Sequence, residues 1–378
     1  MRRNGDVYEY IAVYVDDLAF AMKDPETFVK QVKDDLKFKL KGTGPITYHL
    51  GMDFFRDEDG TLAYAPKSYI TRMMDMYERL FGEKPSQRYH APLDPGDHPE
   101  LDTTELLDED GTAKYQSLIG VLQWVITIGR FDVQVHVMTL SSFRAMPRRG
   151  HLDRVKRIFG YLSKMRHAAI RIRTQIPESL GELPKPYYDW SRTVYGDLKE
   201  IIPGDAPEPL GKPVTTITYK DANLMHDMIT GRSVTGIIHF VNQTPFDWYA
   251  KKQTTVETAT YGSEFNAGRT AVEQIIEHRT ALRYLGVPVL DHSFMFGDNE
   301  SVVNSSTIPD AQLHKRHNLL SFHRVREAIA SGMIWFFPIP GKENPADILS
   351  KHWQYSDIWR SLQAILFYGG NTGDLVDE

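Results

Sequence analysis

Asp221, Glu264, Asp298 and Asp347 are the acids whose setting suggests chemistry. Asp221 follows the strand-like run Val214–Tyr219, and Asp298 follows Ser293–Phe296. Residues just beyond strand ends face the edge of an α/β sheet where ligands bind. Glu264 sits inside the long helical stretch Val256–Leu285, and Asp347 lies near the start of the last helix. Carboxylates converging from such places make an all-oxygen site suited to Mg²⁺ or Mn²⁺. Two ions roughly 3.5–4 Å apart activate water and stabilise the leaving oxygen of an in-line displacement. Taken singly, each acid has an ordinary explanation, since an Asp after a strand commonly closes a turn or caps a helix.

Other groups invite weaker readings. Asp16 and Asp17 stand between two short apolar runs, as in a strand–turn–strand hairpin. Arg144–Arg173 is strongly basic and holds Arg148, Arg149, Arg154, Lys156 and Arg157, a surface that could track phosphates or simply be a solvated helix face. Tyr187, Tyr188, Trp190 and Tyr195 could stack bases, although packing is the commoner role. His314, His317 and His323 fall on one helical stretch, where a structural or solvent-facing histidine is the usual finding.

The elements that must position these groups follow from periodicity. Pro25–Leu40, Ser68–Leu80, Tyr115–Phe143 and His151–Leu162 read as helices, with strands at Ile46–Phe55 and Thr61–Ala65. Later strands are expected at Ser233–Val241, Pro245–Tyr249 and Met333–Ile339, and further helices at His314–Ala330 and from Pro345. The formal charge of −6 hides an acidic stretch, Leu93–Gly111, beside the basic one. There is no cysteine, which excludes thiolate metal sites and disulfides. No apolar run approaches the ~20 residues that cross a bilayer, and no secretory signal is read at the start. An intracellular setting, in a cytoplasmic particle or the nucleus, is expected.

The wording around the acids is more specific than the acids themselves. Tyr219-Lys-Asp-Ala-Asn223, Gly231-Arg-Ser-Val-Thr-Gly236, Trp248-Tyr-Ala-Lys-Lys-Gln253, Ala259–Phe265, Gly297–Val302 and Glu343–Lys351 occur in that order. Together they resemble the RNase H domain of copia-type retrotransposon Pol polyproteins. Tyr14-Val15-Asp16-Asp17, Leu50-Gly51-Met52, Tyr115–Gly120, Arg130 with Asp132, and Lys156–Leu162 resemble the end of the reverse transcriptase in the same transposable elements.

That resemblance implies a fold of mixed α/β and α+β class. An incomplete reverse-transcriptase palm/thumb-like region would precede an RNase H-like mixed-sheet α/β domain. The expected divisions are 1–91 as the C-terminal part of the palm with the region after it, 92–174 as acidic linker and helical thumb-like region, 175–213 as Pro/Gly-rich connector, 214–355 as the RNase H-like domain and 356–378 as a tail. The implied activity is two-metal hydrolysis, with Mg²⁺ or Mn²⁺, of the RNA strand of RNA–DNA hybrids. Asp221 would bridge both metals, Glu264 and Asp298 would hold the leaving-group side, and Asp347 the side of the attacking water. Asp16 and Asp17 would be a remnant of the polymerase motif. With thirteen residues ahead of Tyr14, the other metal-binding Asp of such polymerases has no counterpart, so the polymerase part is not expected to act alone. The missing N-terminal part of the polyprotein would be a partner. Three positions depart from the pattern: Asn223 stands for an acid, Lys220 for a small polar residue and Phe131 for proline. Lys220 could pair with an acid or a phosphate, or mark decay. The alternative is therefore a catalytically inactive retroelement remnant or nucleic-acid-binding fragment. An unrelated α/β binding protein is a third reading, which the ordered motifs disfavour.

Overall fold

The computed structural model describes residues 1–313 and 316–368, so His314 lies outside the described residues. The chain opens on an antiparallel sheet of β1 (Arg2–Asn4), β2 (Val7–Tyr14) and β3 (Asp17–Ala21). Tyr14 pairs with Asp17, leaving Val15 and Asp16 as the turn, with Val15 at φ 54°. Two-residue hairpin loops favour such left-handed conformations. The sheet leans on distant chain, for Tyr10 Oη donates to the Leu285 carbonyl at 2.6 Å. Helix α1 (Pro25–Asp34) is capped by Asp24, which accepts from the Thr27 N–H. It stops short of the expected Leu40, because Leu36 and Phe38, each 63% exposed, find no surface to cover and Lys37 turns to φ 57°.

A second sheet joins β4 (Tyr48–His49), β5 (Met52–Arg56), β6 (Leu62–Ala65) and β7 (Ile170–Arg171), with α2 (Lys67–Phe81) following β6. The single strand expected over Ile46–Phe55 is a hairpin turning at Leu50-Gly51, both at positive φ. A helical layer follows: α3 (Glu109–Thr127), α4 (Gln134–Ser141) and α5 (Arg149–Lys164). The expected continuous helix Tyr115–Phe143 breaks at Gly129, φ 116°, where Arg130 turns inward to hold Asp132 through two hydrogen bonds of 2.9 and 2.7 Å.

The acidic stretch is not a free linker. Asp108 caps α3 by accepting from the Gly111 N–H at 2.8 Å, as a helix N-terminus favours. Asp97 and Asp102 meet Arg154 at 2.8 and 2.6 Å, Asp94 meets Arg157, and Glu105 meets Arg149 at 3.5 Å. Lys156 approaches Glu83 at 3.9 Å, and Arg148 donates to the Thr104 carbonyl. The basic surface expected to track phosphates is thus largely answered by the chain's own acids. The partners of Arg148, Arg149, Arg154, Lys156 and Arg157 stand in a separate upstream segment, where local sequence cannot reveal them.

The third sheet comprises β8 (Thr216–Asn223), β9 (Val234–Val241), β10 (Thr244–Lys252), β11 (Ser293–Gly297) and β12 (Ile334–Pro338), in the order β10-β9-β8-β11-β12. The first three run antiparallel as a meander, and β11 pairs parallel with both β8 and β12. Helix α6 (Thr260–Tyr284) follows β10, α7 (Glu300–Thr307) and α8 (Leu319–Ala330) lie between β11 and β12, and α9 (Asp347–Ser350) and α10 (Tyr355–Ile365) close the described chain. Successive strand residues face opposite sides, and both sides are covered. Ile237, Met295 and Phe336 pack with α6 and α8, whereas Ile238, Phe294, Phe296 and Phe337 join the core of the earlier helical layer. The segment 175–213 is strapped to the sheet's helices: Trp190 and Tyr195 are buried against Arg326, and Glu200 binds Arg279 and Arg283. Part of the segment read as a tail from 356 is helix α10, with Leu362, Leu366 and Phe367 buried in the same core as α5.

Two buried polar groups sit in the core, and the second joins elements from distant parts of the chain. Arg130 and Asp132 are fully buried, and Tyr161 also donates to Asp132, at 2.7 Å. Breaking one side of such a pair leaves an uncompensated charge costing about 3–5 kcal/mol. Asp132→Ala should lower the urea-unfolding free energy by that amount, while a loss below about 1 kcal/mol would show that the pair is no anchor. His136 on α4 stacks on His352 at 4.9 Å, and His226 meets His352 edge-on at the same distance. Burial, with repulsion from its neighbours, puts His136 well below the usual histidine range. Burial also brings His226 to about 4 and His352 to about 3. Folded-state values below the unfolded one mean stability fully present above pH ~6.5 and lost as pH falls toward 4, at about 1.4 kcal/mol per pH unit per group. His136→Phe should flatten that acid limb in denaturation series from pH 7 to 4.5, and limbs of equal slope would exclude the cluster as its source.

Candidate metal centre

Strand β8 supplies the centre of the site. It runs on to Asn223, paired with Val234, so Asp221 lies inside the strand and not after it as the sequence suggested. Its neighbour Lys220 points to the opposite face. Asp221 faces α9, where the Ser350 hydroxyl donates to its Oδ2. Opposite Asp221 in the ladder is Gly236, where a Cβ would stand 2.7 Å from the Ala346 carbonyl oxygen. The absent side chain is what lets α9 sit directly on the sheet.

Glu264, in the second turn of α6, reaches the same strand. Its Oε1 accepts the Ala222 N–H at 3.1 Å, and its Oε2 accepts from Lys220 Nζ at 2.5 Å. Lys220 is 0% exposed and Glu264 5%. The lysine stem needs Gly297, whose Cβ would meet Lys220 Cε at 2.5 Å. Asp298 follows β11 at once, as expected. Asp347 opens α9, pairs with Lys351 Nζ at 2.8 Å, and keeps a buried Oδ1 with no hydrogen-bond partner among the described residues. Asn344 fastens this corner by donating to the Lys220 carbonyl at 3.0 Å and accepting the Ala346 N–H at 3.1 Å.

Carboxylate oxygens of Asp221, Glu264 and Asp298 lie within 4.8 Å of one another. Opposite ligands of an octahedral Mg²⁺ are about 4.1 Å apart, so sub-ångström adjustment gathers the three around one cation. Asp347 stands outside that trio yet close enough to feel it. Burial and then the Asp221 charge raise its carboxyl, against the opposing pull of Lys351. Glu264 is pushed up to about 7 by burial, with Lys220 pulling it down and Asp221 and Asp298 adding repulsion. Asp298 is raised by burial and by Asp221. Acids raised in this way bind protons in place of a missing cation. The donor set is all oxygen and one buried oxygen has no partner, which fits a hard divalent ion.

The other expected residues lie elsewhere. Asp16, in the turn, and Asp17, which opens β3, are both exposed at the tip of the β2–β3 hairpin. His317 precedes α8 in a short turn and pairs with Glu257 at 3.1 Å, and His323, on α8, meets the Tyr195 hydroxyl at 2.6 Å. Asn223 is held to His226 at 2.9 Å. Sequence reasoning missed Ser350, Lys351 and Asn344 as site residues, although all three fall within the Glu343–Lys351 motif. The spacing of four between Asp347 and Lys351 was the available signal.

No family model matches the chain. It is 24% identical over 350 residues to the Pol polyprotein of the tobacco transposon TNT 1-94, covering 90% of this chain and 23% of that protein. It is 23% identical over 356 residues to the Pol polyprotein of the Arabidopsis thaliana transposon RE1, of which it covers 21%. The chain thus spans about a quarter or less of these polyproteins' length. Among solved structures, RNase H1 of Halobacterium salinarum aligns over 40% of this chain and 99% of its own, at 12% identity and a low TM-score of 0.28. A putative transposon Ty5-1 protein of Saccharomyces cerevisiae is 30% identical over 221 residues, 58% of this chain and 68% of the yeast protein. With that identity across two-thirds of its relative, the chain belongs to the Ty-family, copia-type retrotransposon Pol-like proteins.

Proposed function

We propose that the carboxylate centre cuts the RNA strand of RNA–DNA hybrids by two-metal hydrolysis. The supporting observation is the gathering of Asp221, Glu264 and Asp298 oxygens within 4.8 Å from a strand interior, a helix and a strand end. Bound Mg²⁺ or Mn²⁺ would lower the pKa of the attacking water and stabilise the leaving oxygen. Asp221 lies between the other acids and would be shared by both ions, with Ser350 fixing its rotamer. Glu264 and Asp298 would hold the leaving-group side. Asp347, with its unpartnered Oδ1, would hold the side of the water, and Lys351 keeps that carboxylate oriented. The 2′-hydroxyl distinguishes the RNA strand. In this reading residues 1–174 are the end of a reverse transcriptase, the Asp16–Asp17 hairpin is a remnant of its motif, and the hybrid and the rest of a Pol polypeptide are the partners.

The Lys220–Glu264 pair favours a second reading, a centre that no longer cleaves. An ammonium 2.5 Å from a metal-ligating oxygen competes with the cation for it. Cleavage of a labelled hybrid in Mg²⁺ or Mn²⁺ separates the two. The nuclease reading expects cleavage that falls roughly 100-fold or more in Asp298→Asn, through loss of electrostatic stabilisation. Equal rates for the two folded proteins would refute it. Lys220→Ser should leave Glu264 unpaired and lower stability by about 3–5 kcal/mol without metal. It should also tighten Mg²⁺ binding tenfold or more, read as a larger Mg²⁺-dependent rise in melting temperature. An unchanged Mg²⁺ response would mean that Lys220 does not compete with the ion.

A further inference from the structure

A second group of metal-competent side chains lies far from the carboxylates. His239 on β9, Asp247 on β10 and His278 on α6 offer ligand atoms within 4.8 Å of one another. His278 is fourteen residues beyond Glu264 on α6, about 21 Å along the axis, so this group is not part of the carboxylate centre.

The backbone is built to bring them together. In the β9–β10 ladder Pro245 opposes Phe240 and Asp247 opposes His239, so Phe246 is the extra residue of a β-bulge. Bulges re-aim side chains. Without this one, Phe246 would face His239; with it, the carboxylate does. His278 completes the set from α6, its Nε2 2.9 Å from Asp247 Oδ2. The His239 and His278 rings meet edge-on at 4.6 Å. His239, 1% exposed, is fixed on both sides, by Thr218 Oγ1 at 2.8 Å from Nδ1 and Gln274 Oε1 at 3.0 Å from Nε2. With Gln274 Oε1 facing Nε2, the ring donates from Nε2–H and accepts the Thr218 hydroxyl at Nδ1. An ion would take Nε2 once the proton moves to Nδ1, where Thr218 Oγ1 can accept it, as ligating imidazoles are usually held.

We propose that His239, Asp247 and His278 form a Zn²⁺ site that clamps the β9–β10 hairpin to helix α6. Two imidazoles and one carboxylate are the nitrogen and oxygen donors that Zn²⁺ takes at 2.0–2.2 Å, with a fourth position left for water or Gln274. Asp247, its side chain 44% exposed, gives the ion a path from solvent. The site is independent of the nuclease reading, since none of its residues touches the carboxylates.

The full chain, with excess Mg²⁺ occupying the carboxylates, should bind one equivalent of Zn²⁺. Its melting temperature should rise by about 2–5 °C at saturating Zn²⁺. Co²⁺ in place of Zn²⁺ should give the visible absorption of a four-coordinate ion. His278→Gln and Asp247→Asn should each abolish both signals while keeping the far-ultraviolet circular dichroism of the parent. No saturable Zn²⁺ binding by the folded chain, or undiminished binding in both variants, would overturn the proposal. X-ray absorption on the Zn²⁺-loaded parent gives a reading that needs no variant. A shell containing two imidazoles supports the site, and an all-oxygen shell overturns it.

Discussion

Carboxylates packed side by side out of water repel, and the corner around Asp221 is arranged about that repulsion. Three of the four acids have a partner that limits the cost. Glu264 has Lys220 and the Ala222 N–H, Asp347 has Lys351, and Asp221 has the Ser350 hydroxyl. With four acids and two lysines, the ionised centre carries a formal −2 rather than −4. Divalent cations remain attracted to it, but less strongly than to the bare set. The two lysines differ in kind. Lys351 sits on the rim, 42% exposed, and can move aside, whereas Lys220 is sealed beneath Gly297 and Phe336.

The same economy of internal charge recurs across the molecule. The acidic stretch lies along the basic helix α5, Glu200 holds two arginines of α6, and Asp132 holds Arg130 with Tyr161. Exposed members of these pairs add little stability individually. Their effect is to fix where otherwise irregular segments run. The Pro-rich connector is positioned in this way, by Glu200 at one point and by the Trp190 and Tyr195 rings at another.

Much of this was legible in advance because it rests on local signals. Strand alternation and helix periodicity located the mixed sheet and α6, and the ordered motifs marked Asp221, Glu264, Asp298 and Asp347 as one group, of which the first three lie within 4.8 Å of one another. What escaped was non-local. The ion pairs of Arg149, Arg154, Lys156 and Arg157 could not be read from their own segment, because the acidic partners sit in another. Asp221 was placed beyond its strand because burial of a charge inside β8 depends on α9 landing on Gly236. The His239, Asp247 and His278 set has no sequence signature at all, being created by one bulged residue and the face of a helix.

The five-stranded sheet is apolar on both faces, and the two faces are covered by different parts of the chain. Helices α6 and α8 cover one side, and the layer formed by α3, α4 and α5 contributes to the core on the other. Trp248 on β10 meets Phe131 at 5.0 Å, so that edge of the sheet depends on residues from before position 170 to stay dry. A segment excised at the connector would carry all four acids and still expose that aromatic edge. The part of the chain before position 170 thus serves as cover for the sheet, a role separate from any chemistry of its own.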